Sequence, residues 1–323
     1  MEVTSWQDIQ AEIESAQKEI NQRSEGARVS GFDIVRRKKY ELLKNLTGRP
    51  LLVYATAFHH PIKAKFSDFL TIDISDKEGF DEIIRNITSQ EVDVFVHSPG
   101  GSAEATESIV KMLRSKFREI RFIVTGAAKS AATMLVLSGD SILMSSAGEL
   151  GPIDPQVMVR GRFCPAGSIL EQFDRAAAQL REDPSLLPVW LPILQEFAPS
   201  LLVECENFIK LSEELVINWL TEYMFRGLRD ARRKAEKVAK YLAEEHTLSH
   251  SRRVDAEQLK KLGVRIELLE EREPPLQDAI RQVHLSIMAT LDGTDAVKIF
   301  ENSEGAALIR MLKIQPTLPQ QPI

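Results

Sequence analysis

Two turns in the middle of the chain carry residues that could perform acyl-transfer chemistry. The first is the glycine pair Gly100 and Gly101, which follows the apolar run Val92–Val96. The second contains Ser130, which follows the apolar run Ile120–Val124 and is surrounded by small residues. Paired glycines after a strand allow backbone N–H groups to face a developing negative charge, so this turn is a candidate oxyanion hole. A serine at the start of a helix, with room beside it, is a candidate nucleophile.

Each turn also has a simpler structural interpretation. Glycine pairs are common in tight turns, and serine is a common residue at the N-cap of a helix. Neither turn alone would therefore indicate a function. Their presence on consecutive strand–turn–helix units is what favours an active site.

The segments around the turns alternate between short apolar runs and helical patterns. The apolar runs predict strands at Leu51–Ala57, Phe69–Ile74, Val92–Val96 and Ile120–Val124. The helical patterns lie at Gly79–Ile87, Ala103–Phe117 and Met134–Leu137. Such alternation predicts right-handed crossovers and a largely parallel sheet, with a site at the carboxyl ends of its strands. Both turns fall at such ends, so we expect an α/β fold that brings them together.

Outside this region the sequence is mainly helical. The predicted helices are Trp6–Ile20, Phe32–Leu46, Ile169–Leu180, Ser200–Arg226, Ala231–Glu245 and Asp255–Gly263. Between the third and fourth of these, Pro184–Pro199 contains four prolines and predicts a broken connection.

Three motifs carry a resemblance to known proteins. Ser98–Gly101 followed by Gly126–Ala132 resembles the paired signature of the Clp peptidase and crotonase superfamily. Leu150–Gln156 is similar to the Gly-Pro-Asp-Pro-Gln segment of the serine dehydrogenase proteinase family within it. The resemblance extends in order from Leu51 to Gly263. It implies a ClpP/crotonase-like core of βαβ units with additional C-terminal helices.

The resemblance also implies a serine peptidase whose catalytic residues follow the chain order serine, aspartate, histidine. Ser130 would be the nucleophile, and Asp154 would orient the general base. The family places a histidine just before a helix of the form acidic-Ala-x-x-Leu-x-x-Leu-Gly, and His250 fits that position before Asp255–Gly263. The oxyanion would be stabilised by backbone N–H groups of Gly100, Gly101 and Ala131.

A lysine base and two other functions stay open at this point. A lysine could replace the histidine, as in the related signal peptide peptidases; the candidates are Lys129, Lys210 and Lys237. A crotonase-like protein would use the same turns to bind an acyl group without a nucleophilic serine. An inactive scaffold would keep the fold for assembly only.

Three further histidines lie near the predicted carboxyl edge of the sheet. His59 and His60 follow the first core strand and could line a substrate entrance, or could simply be loop residues. His97 adjoins the glycine turn and could help to bind substrate, although a histidine at a strand end is equally well explained by a hydrogen bond to backbone.

The chain divides into three parts by these patterns. Residues 1–48 form an N-terminal helical arm, and residues 49–268 form the ClpP/crotonase-like serine peptidase domain with a helical insertion over about 165–246. Residues 269–323 form a C-terminal helical extension and a flexible tail. The resemblance implies a peptide or protein substrate, a homo-oligomer and no cofactor.

Composition narrows the function classes. The chain has 323 residues, 43% of them hydrophobic and 27% charged, which is ordinary for a globular protein. Its net charge of −6 argues against general nucleic-acid binding. Cys164 and Cys205 are too few for a disulfide framework or a metal site. No run approaches the roughly 20 apolar residues that span a bilayer. We therefore expect a cytoplasmic protein with no membrane span.

Overall fold

A computed structural model describes residues 3–23, 29–243, 253, 254 and 256–313. Within them the helices are α1 (Trp6–Arg23), α2 (Gly31–Thr47), α3 (Asp76–Arg85), α4 (Ala103–Lys116), α5 (Ala131–Leu137), α6 (Ala166–Glu182), α7 (Leu187–Leu194), α8 (Leu201–Trp219), α9 (Ala231–Ala243), α10 (Ala256–Lys261) and α11 (Pro274–Gly293). The strands are β1 (Leu51–Thr56), β2 (Glu91–His97), β3 (Glu119–Val124), β4 (Ala127–Ala128), β5 (Ser141–Met144), β6 (Glu149–Leu150), β7 (Gln156–Val159), β8 (Arg162–Pro165), β9 (Ile266–Leu268), β10 (Ala296–Asn302) and β11 (Ala307–Met311).

A seven-stranded sheet with the strand order β11-β10-β1-β2-β3-β5-β9 organises the described part of the chain. β1, β2, β3, β5 and β9 run parallel to one another. β10 runs antiparallel to β1, and β11 antiparallel to β10. The predicted α/β class with a largely parallel sheet is therefore confirmed.

Both faces of the sheet are covered, because its central strands alternate apolar side chains to either side. In β2, Val94 and Val96 pack on the face covered by α3, α4, α5, α8 and α9. Phe95 packs on the opposite face with residues of α2 and α11. Helix α1 packs outside this second layer, against α2 and α11.

The carboxyl ends of β2 and β3 lie side by side. The two strands are parallel, with Phe95 opposite Ile123. The glycine turn follows β2 directly and the serine turn follows β3, so the register brings them to the same point of the sheet edge. The sequence analysis placed the two turns at neighbouring strand ends, and the topology agrees.

Two predicted segments differ from the structure. Phe69–Ile74 is not a strand; residues Lys63–Phe69 form a 3₁₀ helix, and Ile72 makes only an isolated bridge to Gly101. The predicted broken connection at Pro184–Pro199 contains the helix α7, whose first turn accommodates a proline because N–H groups there need no intrahelical acceptor.

The C-terminal region contributes strands that the sequence analysis did not place. β10 is fully buried along its length and lies between the edge strand β11 and β1. It carries Lys298, Glu301 and Asn302 among its apolar residues, and these polar residues hide the usual pattern of a buried strand. Of the helices described, none is both long enough and apolar enough to cross a bilayer.

Candidate active site

The glycine turn has two positions that only glycine can occupy. Gly100 has a φ of 97° and Gly101 a φ of 153°, in the region that side-chain-bearing residues avoid. A Cβ atom on Gly100 would lie 2.5 Å from the carbonyl oxygen of Lys129 and 2.7 Å from Cβ of Ser130. The first turn therefore packs directly on the second, with no room for a side chain between them.

Hydrogen bonds fasten the two turns together. The Ser98 N–H donates to the carbonyl of Ala127 at 2.8 Å, and the Lys129 N–H donates to the carbonyl of Ser98 at 3.0 Å. The Gly100 N–H donates to Ser98 Oγ at 3.2 Å. Because these bonds join the two strand ends, the separation between the glycine turn and Ser130 is fixed by backbone.

Ser130 occupies a strained position at the start of α5. Its φ of 50° and ψ of −123° lie in a region that costs a non-glycine residue about 1–3 kcal/mol. Its side chain makes no capping hydrogen bond to the helix in the described residues, so the hydroxyl is not consumed as an ordinary N-cap. Every residue of α5, from Ala131 to Leu137, is buried and holds the turn in place.

Gly101 and Ala131, whose N–H groups are the predicted oxyanion donors, lie in the glycine turn and directly after Ser130. Ile72 donates its N–H to the carbonyl of Gly100 at 2.7 Å, and Ser102 donates its N–H to the carbonyl of Ile72 at 2.9 Å. In this parallel pattern the intervening Gly101 directs its N–H away from Ile72. Ala131 is the first residue of α5, and the first N–H groups of a helix have no intrahelical acceptor.

Asp154 lies in a buried segment that is tied to the serine turn. Its side chain is buried, and Gln156 Nε2 donates to Asp154 Oδ2 at 2.8 Å. Thr133 Oγ1, on α5, donates to the carbonyl of Ala128 at 2.7 Å and accepts the N–H of Gly151 at 2.9 Å. The sequence analysis missed Thr133, because nothing in its local sequence distinguishes it from a core residue.

His250, the predicted general base, lies outside the described residues, as does His246. The described residues on either side of that stretch contact the segment that contains Asp154. Ile153 donates its N–H to the carbonyl of Leu242 at 3.2 Å, and Val254 donates its N–H to the carbonyl of Leu150 at 3.0 Å.

The lysines considered as alternative bases are engaged or exposed. Lys129 Nζ forms an ion pair with Glu149 at 2.6 Å. Its side chain lies over Gly151, where an added Cβ would be 2.9 Å from Lys129 Cδ. Lys210 on α8 and Lys237 on α9 are exposed.

Three of the remaining histidines, His59, His97 and His284, form an aromatic cluster behind the serine turn. His97 is buried, packs against Phe58 and His59, and lies near His284 of α11. Its Nδ1 accepts the N–H of Ala127 at 3.3 Å, so the strand-end interpretation of this histidine applies.

Burial lowers the pKa of all three of these imidazoles, His59, His97 and His284. Loss of solvent lowers the pKa of His97 to about 3, with smaller contributions from His59 and His284. Loss of solvent also lowers the pKa of His284 to about 4, and Thr125 Oγ1 lies 2.8 Å from its Nδ1. The rings of His97 and His284 are therefore neutral at neutral pH. In the part of the chain that the structure describes, no group of three or more histidine, cysteine or acidic residues could hold a metal ion.

Two curated relatives come from Methanocaldococcus jannaschii. The uncharacterized protein MJ0137 is 30% identical over 205 residues, which is 62% of this chain and 61% of that protein. The uncharacterized protein MJ1495 is 27% identical over 204 residues, which is 61% of this chain and 59% of that protein. The chain thus spans about 60% of the length of the curated relatives it matches.

Solved structures show a weaker likeness. Two variants of 1510-N, a membrane-bound stomatin-specific protease, one in complex with a substrate peptide, are 16% and 17% identical with TM-scores of 0.38. They cover 61% of this chain and 74% and 70% of their own. A ClpP1 variant from Listeria monocytogenes is 15% identical with a TM-score of 0.35, covering 67% of this chain and 99% of its own. TM-scores this low support no assignment of activity or of catalytic residues.

The family comparison is more direct. Residues 65–273 match the family model of the ClpP-like SDH-type serine proteinases. The match spans more than half of the chain and includes the glycine turn, the serine turn and the Asp154 segment. This protein therefore belongs to the family of ClpP-like SDH-type serine proteinases.

Proposed function

We propose that this protein is a peptidase that cleaves peptide bonds through an acyl-enzyme on Ser130. Membership of a serine proteinase family supports the general class of reaction. The observation that carries the choice of Ser130 is its strained backbone in direct contact with the glycine turn. A nucleophile at a sharp, strained strand-to-helix turn has its hydroxyl exposed to substrate and next to backbone donors.

In this mechanism, Ser130 Oγ attacks the carbonyl carbon of the scissile bond. The developing oxyanion accepts hydrogen bonds from the N–H groups of Gly101 and Ala131, and loss of one such donor would cost about 3 kcal/mol of barrier. Gly100 is not a donor to the oxyanion, because its own N–H is bound to Ser98 Oγ. Its lack of a side chain lets the two turns pack together. The serine proton passes to the general base and then to the leaving amine. Water subsequently hydrolyses the acyl-enzyme.

His250 is the proposed general base, and chain connectivity supports it. His250 precedes Val254 by four residues, which extend at most about 14 Å. The Val254 N–H is bound to the carbonyl of Leu150, and Asp154 lies four residues after Leu150. The lengths of these two segments are therefore compatible with a contact between this imidazole and the Asp154 carboxylate.

Asp154 is the proposed orienting carboxylate. A buried carboxylate beside an imidazole fixes its tautomer and stabilises the cation that forms during catalysis. The hydrogen bond from Gln156 Nε2 restrains this carboxylate. A lysine base is less compatible with the contacts, because the ammonium nearest in sequence, Lys129, pairs with Glu149 and lies over Gly151.

Labelling with a fluorophosphonate probe tests the proposal. We expect one covalent adduct, mapped by mass spectrometry to Ser130, which disappears in Ser130→Ala and falls by at least about 100-fold in rate in His250→Ala. His60→Gln serves as the matched control for a histidine change outside the site. Labelling that survives in His250→Ala at the wild-type rate would contradict the histidine base. A folded wild-type protein that does not label but binds acyl-CoA would contradict the peptidase function.

Homo-oligomerisation belongs to the same proposal, with α7 as the contact. This helix is apolar on all sides yet has no buried residue, and Val189 is 64% exposed. Exposed apolar patches of this kind mark interaction surfaces. We expect sedimentation velocity to show an oligomer that dissociates in the double variant Val189→Glu, Leu191→Glu. A monomeric wild-type protein would contradict it.

A cytoplasmic location completes the proposal. Cys164 and Cys205 are both unpaired, as expected for a reducing compartment. Cell fractionation tests this location.

A further inference from the structure

A buried lysine distant in sequence holds the backbone that supports the glycine turn. Lys298, on β10, is fully buried. Its ammonium donates to the carbonyl of Thr71 at 2.7 Å, to Asp73 Oδ2 at 2.9 Å and to Asp76 Oδ1 at 2.7 Å. All three donors of the ammonium are thereby used on one short segment, residues 71–76.

Two of these contacts flank Ile72 on either side. The carbonyl of Thr71 and the carboxylate of Asp73 are fixed by the same nitrogen, so the peptide groups of Ile72 between them have little freedom. Ile72 uses both of its backbone groups on the glycine turn, donating to Gly100 and accepting from Ser102. Its backbone also lies so close to Gly101 that a Cβ there would overlap it. The position of the Ile72 backbone therefore determines the position of the Gly101 N–H.

Further contacts make this clamp, the ammonium of Lys298 bound to Thr71, Asp73 and Asp76, rigid. Asp76 is fully buried, and Tyr54 donates its hydroxyl to Asp76 Oδ2 at 2.8 Å. Arg310 donates to the carbonyl of Ser75 at 2.7 Å and lies 3.7 Å from Asp76. Two cations thus face two carboxylates, which compensates the cost of burying each charge.

We propose that Lys298 is a positioning residue for the oxyanion hole, acting through Ile72 to set the place of the Gly101 N–H. The inference rests on the proposed function for the consequence in catalysis. Lys298 touches neither turn itself. Its removal lets Ile72 shift, and a shift of about 1 Å in a catalytic group can lower a rate by about 100-fold.

Lys298→Met tests the inference, because methionine keeps an unbranched side chain and removes the charge. Arg36→Met is the matched control. Arg36 is equally buried and pairs with Glu301 on the same strand at 2.7 Å, but its described partners, which include Thr290 and Asp33, do not include the glycine turn. We expect Lys298→Met to lower the labelling rate and kcat by about 10- to 100-fold with little change in KM. Arg36→Met should keep a near-wild-type kcat at temperatures below the midpoint of its thermal unfolding.

A second, milder variant covers the case in which Lys298→Met does not fold. Asp73→Asn removes one carboxylate of the clamp at a half-buried position. We expect it to fold and to lower kcat several-fold without changing the pH dependence of kcat, because the general base is untouched. Equal kcat in Asp73→Asn and wild type, or equal losses in Lys298→Met and Arg36→Met, would overturn the inference.

Amide hydrogen exchange separates this inference from the proposed function. We expect exchange at Ile72 and Ser102 to accelerate at least ten-fold in Lys298→Met, or in Asp73→Asn if Lys298→Met does not fold, and to stay unchanged in Arg36→Met. If the wild type shows no peptidase activity but this exchange pattern holds, the proposed function fails and the positioning of the turn by Lys298 stands. Unchanged exchange in the clamp variant that folds would overturn the positioning itself.

Discussion

Both turns at the carboxyl edge of the sheet contain backbone with positive φ, but they place it on different residue types. In the glycine turn, φ is 97° at Gly100, where the absence of a side chain removes the steric cost. In the serine turn, φ is 50° at Ser130, where the Cβ atom makes the same region unfavourable.

The difference corresponds to what each turn would do. The glycine turn needs only backbone N–H groups, so the residue best suited to the conformation can be used. The serine turn needs a hydroxyl at one point, so glycine cannot replace it and the strain is kept. Burial of all seven residues of α5 offsets that strain.

The largest expected effect comes from removing the hydroxyl while relieving the strain. Ser130→Gly and Ser130→Ala should both lower peptide hydrolysis by about 10⁴-fold or more. Ser130→Gly should also be more stable than Ser130→Ala by about 1–3 kcal/mol, because only glycine adopts this positive φ without strain. Urea denaturation of the two variants measures the difference. Equal stabilities would show that the position is not strained.

A side chain in the glycine turn should have the next largest effect. In Gly100→Ala, the new Cβ would lie 2.5 Å from the Lys129 carbonyl oxygen and force the turns apart. We expect a loss of about 3 kcal/mol or more in unfolding free energy and at least about 100-fold in labelling rate.

Gly305→Ala is the control for that change. Gly305 has a similar φ of 91°, but an added Cβ would meet no atom of the described residues within 4 Å. It should cost about 1–2 kcal/mol for the backbone alone and leave labelling unchanged. Equal behaviour of the two alanine variants would mean that the contact between the turns is unimportant.

The histidine cluster behind the serine turn predicts an acid-sensitive stability. The pKa of His97 is about 3 and that of His284 about 4 in the folded state, below the ordinary value of about 6.5. The unfolded chain therefore binds more protons once the pH falls below about 6.5, and the unfolding free energy decreases as the pH falls.

The expected slope is up to about 1.4 kcal/mol per pH unit for each of the two groups, between about pH 6 and pH 4. His97→Asn keeps an acceptor for the Ala127 N–H and should make this slope shallower, whereas His60→Gln should not. Urea denaturation at a series of pH values measures it. A slope that is identical in His97→Asn and wild type would contradict the assignment.

The smallest expected effect is at Thr133, which links the serine turn to the Asp154 segment. Thr133→Val would leave the Ala128 carbonyl and the Gly151 N–H unpaired in a buried position, at a cost of about 1–3 kcal/mol. Thr133→Ser keeps both bonds and should cost less. We expect kcat to fall about ten-fold in the valine variant only. Equal kcat in the two variants would remove the proposed link to Asp154.

Much of the sheet could be predicted from local sequence. β1, β2 and β3 are short apolar runs, and buried parallel strands have that composition. The turns that follow β2 and β3 were visible because glycine pairs and a serine among alanines are unusual at strand ends. Their direct contact follows from the parallel register of the two strands.

What could not be predicted depends on contacts between distant parts of the chain. The Phe69–Ile74 run was wrongly predicted as a strand, because its role is set by Lys298, more than 200 residues later. β10 was missed because its charged residues are buried by pairing with distant elements, Lys298 with Asp76 and Glu301 with Arg36, which no local pattern reveals. The places of Asp154 and His250 in catalysis remain predictions, since they rest on family resemblance and chain connectivity.

The position of β10 has a consequence for how the protein is made. This strand is inserted beside β1, although nearly 240 residues separate them in the chain. Until residue 298 has been synthesised and has left the ribosome, the growing polypeptide lacks the ammonium that fixes Ile72. Under the proposed positioning role of Lys298, the growing polypeptide reaches its full proteolytic rate only after residue 298 has left the ribosome.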